Sequence, residues 1–264
     1  MRTANLFIIC SFIMLYSCGS TKEYNYNSNA IHGNKKLMIE DIPIKNYSQI
    51  RSKTSADIKY RQDTLQDASL TLQIDENLKE FVAMRIRNNT LEITVSKNIN
   101  PSVFNIYTNS KILNSIEIIG SGSFTSPAQI CNKLDMQIKG SGDINITDII
   151  CNSVNLDIKG SGDIYLNNIR GKSINATVNG SGDITINGEI TDSYFFVKGS
   201  GDINAYRLKT KKSSAKIAGS GDIELNISDE LDASIAGSGD ISYKGSPQKI
   251  SKTIKGTGSI KAKK

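Results

Sequence analysis

The sequence predicts an all-β protein: a right-handed parallel β-helix (β-solenoid) with about 20 residues per coil, preceded by irregular β structure. Two observations lead to this prediction. A Gly-Ser-Gly corner recurs through the C-terminal part of the chain, and apolar and polar residues alternate on both sides of each corner. Recurrence at a fixed period is the signature of stacked repeats, and strict alternation indicates strands with one buried face.

The corners lie 18 to 20 residues apart, and each begins with a glycine. They start at Gly120, Gly140, Gly160, Gly180, Gly199, Gly219 and Gly237, and a Gly-Thr-Gly variant starts at Gly256. Glycine suits the corner because it tolerates positive φ and because a side chain there would crowd the neighbouring coil. A phosphate-binding glycine loop occurs once and opens a helix. The repeated motif therefore predicts a structural turn.

Apolar positions flank every corner at a constant phase. Two residues before the first glycine stand Ile118, Ile138, Ile158, Val178, Val197, Ile217, Ile235 and Ile254. Four residues after it stand Phe124, Ile144, Ile164, Ile184, Ile203, Ile223, Ile241 and Ile260. Like residues at one phase require coils that stack in parallel and in register, so we expect these side chains to form columns in the core.

Residues 1–17 are predicted to be a lipoprotein signal peptide. Arg2 provides a short basic start, and Leu6 to Leu15 is an apolar run too short to span a bilayer comfortably. The segment that ends at Cys18 resembles the lipobox of bacterial lipoproteins, which implies cleavage before Cys18 and its acylation, so that the lipid holds the protein at a membrane. An ordinary secretory signal with an incidental cysteine is the alternative. By analogy with lipoprotein sorting, Gly19 points to the outer membrane.

Three segments follow the signal peptide. Residues 18–36 are polar and rich in Asn and Ser, which predicts a flexible tether. Residues 37–115 alternate without a 20-residue period, and we interpret them as an irregular N-terminal β region that caps or continues the solenoid. Within it, Asn88-Asn89 is a hairpin signal. Residues 116–264 form the GSGD-repeat β-helix.

Two cysteines provide an independent check on the register. Cys131 and Cys151 lie at the same phase, eleven residues after Gly120 and Gly140. Stacked coils place their Cα atoms about 5 Å apart, which is within the range of a disulfide. Because the bacterial envelope is oxidising, we predict a Cys131–Cys151 bridge between adjacent coils. A buried pair of free thiols is the alternative.

An aspartate follows the corner in six repeats, and the two outermost repeats carry Ser123 and Ser259 instead. The six are Asp143, Asp163, Asp183, Asp202, Asp222 and Asp240. Stacked carboxylates repel one another unless they are neutralised or hydrogen-bonded. Pairing with Lys139, Lys159 or Lys198, capping by backbone N–H groups, and a calcium ladder are the alternatives. The nine-residue repeat of calcium-binding β-rolls is missing, so we predict turn capping and no metal.

The sequence predicts no catalytic residue and no cofactor. Glycoside cleavage needs two carboxylates in a cleft, whereas the dense carboxylates here are repetitive. The single histidine, His32, lies in the predicted tether. The net charge of +6 does not indicate a nucleic-acid partner, because an exported protein does not ordinarily meet nucleic acid.

The stretches SADIKY, LTLQID, NNTLEITVS and LNSIEIIGSGS, followed by repeated IKGSGDI, resemble a known family. This is the putative auto-transporter adhesin, head GIN domain family, and the resemblance covers about residues 40–260. It implies a β-helical fold and a surface or adhesive role, and it brings no catalytic residues with it.

The predicted function is a non-catalytic, adhesin-like binding module of the cell envelope, anchored by lipid, with a glycan or protein ligand. Exposed side chains after each corner are expected to form two lines, one with Asn145, Tyr165, Thr185, Asn204 and Glu224, the other with Asn167, Asn187, Tyr206 and Asn226. The alternatives are a periplasm-facing structural or assembly lipoprotein and, less favoured, a polysaccharide-degrading enzyme. No oligomeric state is predicted.

Overall fold

The structure, a computed structural model, describes residues 29–263 and consists almost entirely of β-strands. One short 3-10 helix, Glu76–Phe81, is present among these residues. The strands are β1 (Ile31–His32), β2 (Leu37–Asp41), β3 (Gln49–Lys53), β4 (Asp57–Gln62), β5 (Leu70–Asp75), β6 (Val82–Arg87), β7 (Thr90–Val95), β8 (Ile99–Asn100), β9 (Phe104–Ser110), β10 (Ser115–Gly120), β11 (Phe124–Gly140), β12 (Ile144–Gly160), β13 (Ile164–Gly180), β14 (Ile184–Gly199), β15 (Ile203–Ile217), β16 (Ile223–Gly237), β17 (Ile241–Lys244), β18 (Lys249–Gly256) and β19 (Ile260–Ala262).

The six long strands β11 to β16 each follow one coil of a solenoid from corner to corner. Each pairs in parallel with the strand before it and the strand after it, so that the hydrogen bonds run between coils. Between β12 and β13, for example, Ile144 stands opposite Ile164 and Gly160 opposite Gly180. The predicted β-solenoid is confirmed, with about 7 turns and about 20 residues per coil.

The predicted core columns are buried along almost the whole solenoid. All eight side chains of the column from Phe124 to Ile260 are buried, and so are the first seven of the column that begins at Ile118. The exception is Ile254 of β18, which is 45% exposed. Among the described residues β18 pairs only with β16, so no later strand covers this part of the terminal coil.

The glycines of the corner allow the coils to approach closely. Gly160 has a φ of +145°, and a Cβ atom built on Gly162 would lie 1.9 Å from the carbonyl oxygen of Gly142. The carbonyl of Gly140 accepts hydrogen bonds from the N–H groups of Ser161 and Gly162 at 2.9 and 3.2 Å. Glycine is therefore required both for the backbone conformation and for the contact between coils.

The N-terminal strands continue the stack and then seal it. Strand β3 pairs in parallel with β7 on one side and β10 on the other, and β4 pairs likewise with β9 and β11. Strand β5 runs antiparallel to both β2 and β9. Strands β6 and β7 form the predicted hairpin, and Asn88 and Asn89 at its turn have φ values of 46° and 63°.

The turn between β3 and β4 is a further corner that the repeat pattern did not reveal. Its sequence, Thr54-Ser55-Ala56-Asp57, lies directly below the Gly120 corner, and Phe124 stands opposite Ile58. In the layer formed by β7 and β9, residues 95–104 occupy the position that residues 54–56 occupy between β3 and β4. This longer connection includes β8, which pairs with β1.

The described part of the predicted tether, residues 29–36, is held against the N-terminal layer. Strand β1 pairs in parallel with β8, and the buried Asp75 carboxylate accepts the Lys35 N–H at 2.8 Å and the Ser102 N–H at 2.6 Å. Burial alone would raise the pKa of Asp75, but these hydrogen bonds and one from the Ser102 hydroxyl lower it. Strand pairing and one buried carboxylate together therefore hold this part of the chain, which the composition of the segment did not indicate.

The predicted signal peptide and Cys18 lie outside the described residues. Within residues 29–263, no helix is both long and apolar enough to cross a membrane.

The corner contact predicts the effect of a single methyl group. Gly162→Ala should lower the free energy of unfolding by about 3 kcal/mol, because the added Cβ overlaps the Gly142 carbonyl and the coils must separate locally. Urea unfolding followed by circular dichroism measures this change. Ser161→Ala, at an exposed position of the same corner, is the control and should change stability by less than about 0.5 kcal/mol. Equal effects of the two substitutions would contradict the packing argument.

Candidate functional site

The aspartates after the corners form a ladder that joins each coil to the next. In each case the backbone N–H of one residue donates to Oδ1 of the aspartate in the preceding coil. The donors are Asp163, Asp183, Asp202, Asp222, Asp240 and Ser259, at distances between 2.7 and 2.9 Å. Each aspartate thus caps the turn of the next coil, because it accepts a hydrogen bond from a backbone N–H group of that turn.

Two of the three lysines before the corners pair elsewhere, and Lys198 forms no ion pair with the described residues. Lys139 forms its ion pair with Glu117 at 2.7 Å, and Lys159 forms its own with Asp157 at 3.0 Å. Neither pair neutralises the ladder. The described residues contain no group of three or more His, Cys, Asp or Glu side chains placed to hold a metal ion. Hydrogen bonds to the backbone therefore carry the ladder in this structure.

The pKa of an aspartate in the middle of the ladder and that of the last aspartate shift in opposite directions. Burial raises the pKa of Asp202, and the charges of Asp183 and Asp222 raise it further. At the C-terminal end, hydrogen bonds from the hydroxyl and the N–H of Ser259 lower the pKa of Asp240. The terminal serine therefore stabilises the last carboxylate and ends the run of like charges.

Cys131 and Cys151 stand opposite each other, in the register that their spacing indicated. Their Sγ atoms are 3.0 Å apart, and both are free thiols in this structure. The hydrogen bond between them raises the pKa of Cys131 and lowers that of Cys151. The two sulfur atoms therefore need to approach by only about 1 Å to reach bonding distance.

On the side of the solenoid that follows each corner, outward-facing side chains form one continuous column, here called the polar face. Each member stands opposite the next in the strand register. The column consists of Tyr107, Lys59, Thr125, Asn145, Tyr165, Thr185, Asn204, Glu224, Ser242 and Lys261. The first line of the sequence analysis lies within it. The column also extends into the N-terminal strands, which the repeat pattern did not reveal.

The second expected line of side chains is broken in the structure. Register shifts place Arg207, rather than Tyr206, opposite Asn187, and they place Lys209 opposite Asn226. The shifts occur because the repeats there are 18 to 20 residues long, so the coils cannot match at every position. A depression of about 380 Å³ lies between the polar face and this broken line, and it is lined by members of both, Thr185, Asn187, Asn204, Tyr206, Arg207 and Glu224.

A larger concavity, here called the axial groove, lies on the next side of the solenoid. It measures about 720 Å³ and crosses β13, β14, β15, β16 and the loop after β17. Its lining residues are Arg170, Gly171, Glu189, Ile190, Thr191, Lys209, Thr210, Lys211, Asn226, Ile227, Ser228, Gly245 and Ser246. The repeat pattern of the sequence gives no sign of this groove. The basic run Arg207-Leu208-Lys209-Thr210-Lys211-Lys212 was the available signal.

The Cys131–Cys151 disulfide stays a prediction, and alkylation of the two thiols tests it directly. Chain recovered from the bacterial envelope should resist alkylation at Cys131 and Cys151 under denaturing conditions until a reductant is added. Peptide mass spectrometry detects the alkylated and bridged forms. Cys131→Ser is the control and should make Cys151 reactive without reduction. Alkylation of both thiols of the unreduced wild-type chain would contradict the prediction.

Several known proteins share this architecture. Residues 46–247 match the family model described as "Putative auto-transporter adhesin, head GIN domain". The crystal structure of a "putative lipid binding protein" from Parabacteroides distasonis is similar, with 33% identity and a TM-score of 0.85 over 89% of this chain and 100% of the other. No curated protein matched the chain.

Two crystal structures of proteins called putative adhesins show the same fold. The protein from Parabacteroides merdae has 23% identity and a TM-score of 0.84, covering 89% of this chain and 99% of the other. The protein from Parabacteroides distasonis has 24% identity and a TM-score of 0.84, covering 89% of this chain and 100% of the other. Because the family model spans residues 46–247, the chain belongs to the family described as "Putative auto-transporter adhesin, head GIN domain".

Proposed function

We propose that the protein is a non-catalytic, adhesin-like binding module of the cell envelope, held at the outer membrane by a lipid on Cys18. The observation that carries the proposal is the polar face. It offers hydrogen-bonding, charged and aromatic side chains in one straight line along the solenoid.

The geometry of the polar face suits an extended ligand. Its side chains repeat at the strand spacing of about 4.8 Å, so a ligand laid along the axis meets one side chain from each coil. Tyr107 and Tyr165 are 38% and 39% exposed. The Lys59 ammonium lies 5.0 Å from the Tyr107 ring centre, and the Tyr165 hydroxyl donates to Asp163 at 3.0 Å. These contacts hold the two rings in place, and rigid aromatic side chains are effective binding anchors.

The chemistry of the carboxylates supports a binding role rather than glycoside cleavage. In the ladder, Oδ1 of each aspartate accepts a backbone N–H from the next coil. Such carboxylates are structural and recur in six successive coils, whereas hydrolysis needs one acid and one base or nucleophile on either side of a single bond.

The relatives support attachment at the cell envelope. The family description and two of the similar crystal structures carry the word adhesin. The lipobox-like sequence before Cys18 supports anchoring by lipid, and Gly19 supports the outer membrane. A lipid anchor with several acyl chains is stable, so the solenoid would stay at the membrane while its polar face contacts a ligand.

Binding of a lipid is a second candidate function. It is favoured by three exposed isoleucines, Ile112, Ile130 and Ile150, which are 52%, 63% and 53% exposed. Ile130 and Ile150 stand opposite each other in adjacent coils. The similar protein from Parabacteroides distasonis is called a putative lipid binding protein. An apolar pair of this kind suits acyl chains better than sugars.

Adhesion of intact cells tests the proposal. Cells that carry the wild-type chain should adhere to immobilised mucin or fibronectin, and proteinase added to intact cells should remove both the solenoid and adhesion. Tyr165→Ala should weaken adhesion about tenfold, because an exposed aromatic anchor is lost. Cys18→Ser should release the chain from the membrane fraction.

Tyr194→Ala, which removes a half-buried tyrosine on the other side of the corner, is the matched control and should leave adhesion unchanged. Protection of the solenoid from proteinase until the cells are lysed would contradict the surface role and would favour a periplasm-facing assembly protein. Binding of phospholipid vesicles that is lost in Ile130→Ser but not in Tyr165→Ala would favour the second candidate.

A further inference from the structure

The axial groove has a regular arrangement of charge along one wall. Arg170, Glu189 and Lys209 occupy the same column in three successive coils, with Arg170 opposite Glu189 and Glu189 opposite Lys209. Lys211, two residues after Lys209 in β15, also lines the groove. All four side chains are exposed. None of the four forms an ion pair within the part of the chain that the structure describes.

Some other surface lysines are neutralised by a neighbouring carboxylate, whereas, among the described residues, the three cations of the groove are not. Lys249 lies 2.7 Å from Glu230, and Lys139 lies 2.7 Å from Glu117. Three unpaired cations and one carboxylate give the groove a net positive charge, and it is therefore complementary to an anionic ligand.

The floor and rim of the groove resemble a surface for sugars. Ile190 and Ile227 are buried beneath the floor, and Gly171 and Gly245 add no side chain that would fill it. Thr191, Ser228 and Ser246, which carry hydroxyl groups, also line the groove. An apolar floor with a rim of hydroxyl groups suits a sugar ring, which has C–H faces and hydroxyl edges.

We propose that the axial groove binds a linear acidic polysaccharide in which acidic and neutral sugars alternate. Arg170 and Lys209 are two coils apart, about 10 Å along the axis, which is close to the repeat of a disaccharide in an extended glycan. Each cation would meet one carboxylate of the ligand, Arg170 through its two-pronged guanidinium group.

Glu189 determines the alternation. It stands midway between Arg170 and Lys209, where a third ligand carboxylate would be repelled. The hydroxyl groups of a neutral sugar can donate hydrogen bonds to it instead. The groove spans five successive coils, a length of about 19 Å, and therefore accommodates about two such disaccharides.

Titration calorimetry with the full-length chain in detergent tests the proposal. Four probes are compared. Acidic and neutral sugars alternate in a hyaluronan hexasaccharide, and every sugar is acidic in hexagalacturonate. Chitohexaose is a neutral glycan, and hexaglutamate is an acidic peptide. Hyaluronan should bind saturably and lose affinity as salt is added. Hexagalacturonate should bind more weakly, and chitohexaose at least about tenfold more weakly, because charge-assisted hydrogen bonds are lost.

Variants assign the binding to the groove. The triple variant Arg170→Gln, Lys209→Gln, Lys211→Gln should reduce hyaluronan affinity at least about tenfold. The control triple variant Arg87→Gln, Lys198→Gln, Lys255→Gln removes the same charge from exposed positions outside the groove and should not reduce it. Glu189→Gln should raise the affinity for hexagalacturonate towards that for hyaluronan. Urea unfolding verifies that each variant folds.

Three results would overturn the proposal. These are the absence of saturable binding to both acidic hexasaccharides, an equal loss in the two triple variants, and tighter binding of hexaglutamate than of either glycan, which would make the groove a site for acidic peptides. An unchanged preference in Glu189→Gln would refute the alternation. Tyr165→Ala should retain hyaluronan binding, so failure of the groove and failure of the polar face are distinguishable.

Discussion

Close packing of glycine on glycine at the corner is the contact on which the rest of the solenoid depends. The carbonyl of Gly140 accepts two N–H groups from the next corner, and the contact leaves no space for a Cβ atom at Gly162. This contact holds successive coils in one register, so that residues one repeat apart stand in line. The isoleucine columns, the aspartate ladder and the facing cysteines all follow from that register.

With the corner and the interior fixed, the outward positions of each coil can vary without loss of the fold. The polar face lies directly after the corner, where the register is regular, and it therefore remains straight over the whole stack. The axial groove lies farther from the corner, where coils of unequal length shift against one another. One repeat thus produces a regular surface and an irregular one, both on a rigid scaffold, which favours precise binding sites.

The sequence was sufficient to predict the features that depend on the repeat itself. The coil length, the buried columns and the opposition of Cys131 and Cys151 are all determined by residues of constant phase. The corner at Thr54-Ser55-Ala56-Asp57 was missed, because it lacks the Gly-Ser-Gly motif by which the other corners are identified. The axial groove was also missed, because the residues that line it differ from coil to coil and do not recur at a constant phase. The extension of the polar face to Tyr107 depends on β4 pairing with both β9 and β11, an order that does not follow the chain.

Amide hydrogen exchange at the corners tests the central claim most directly, namely that hydrogen bonds between coils hold these turns in place. The side chains of Ser161 and Asp163 are at the surface, but their N–H groups donate to Gly140 and Asp143 of the coil below. The account predicts that both amides exchange as slowly as that of the adjacent core residue Ile164 and are released only when the solenoid unfolds. Exchange of the corner amides at the rate of an unstructured peptide, while Ile164 stays protected, would contradict it.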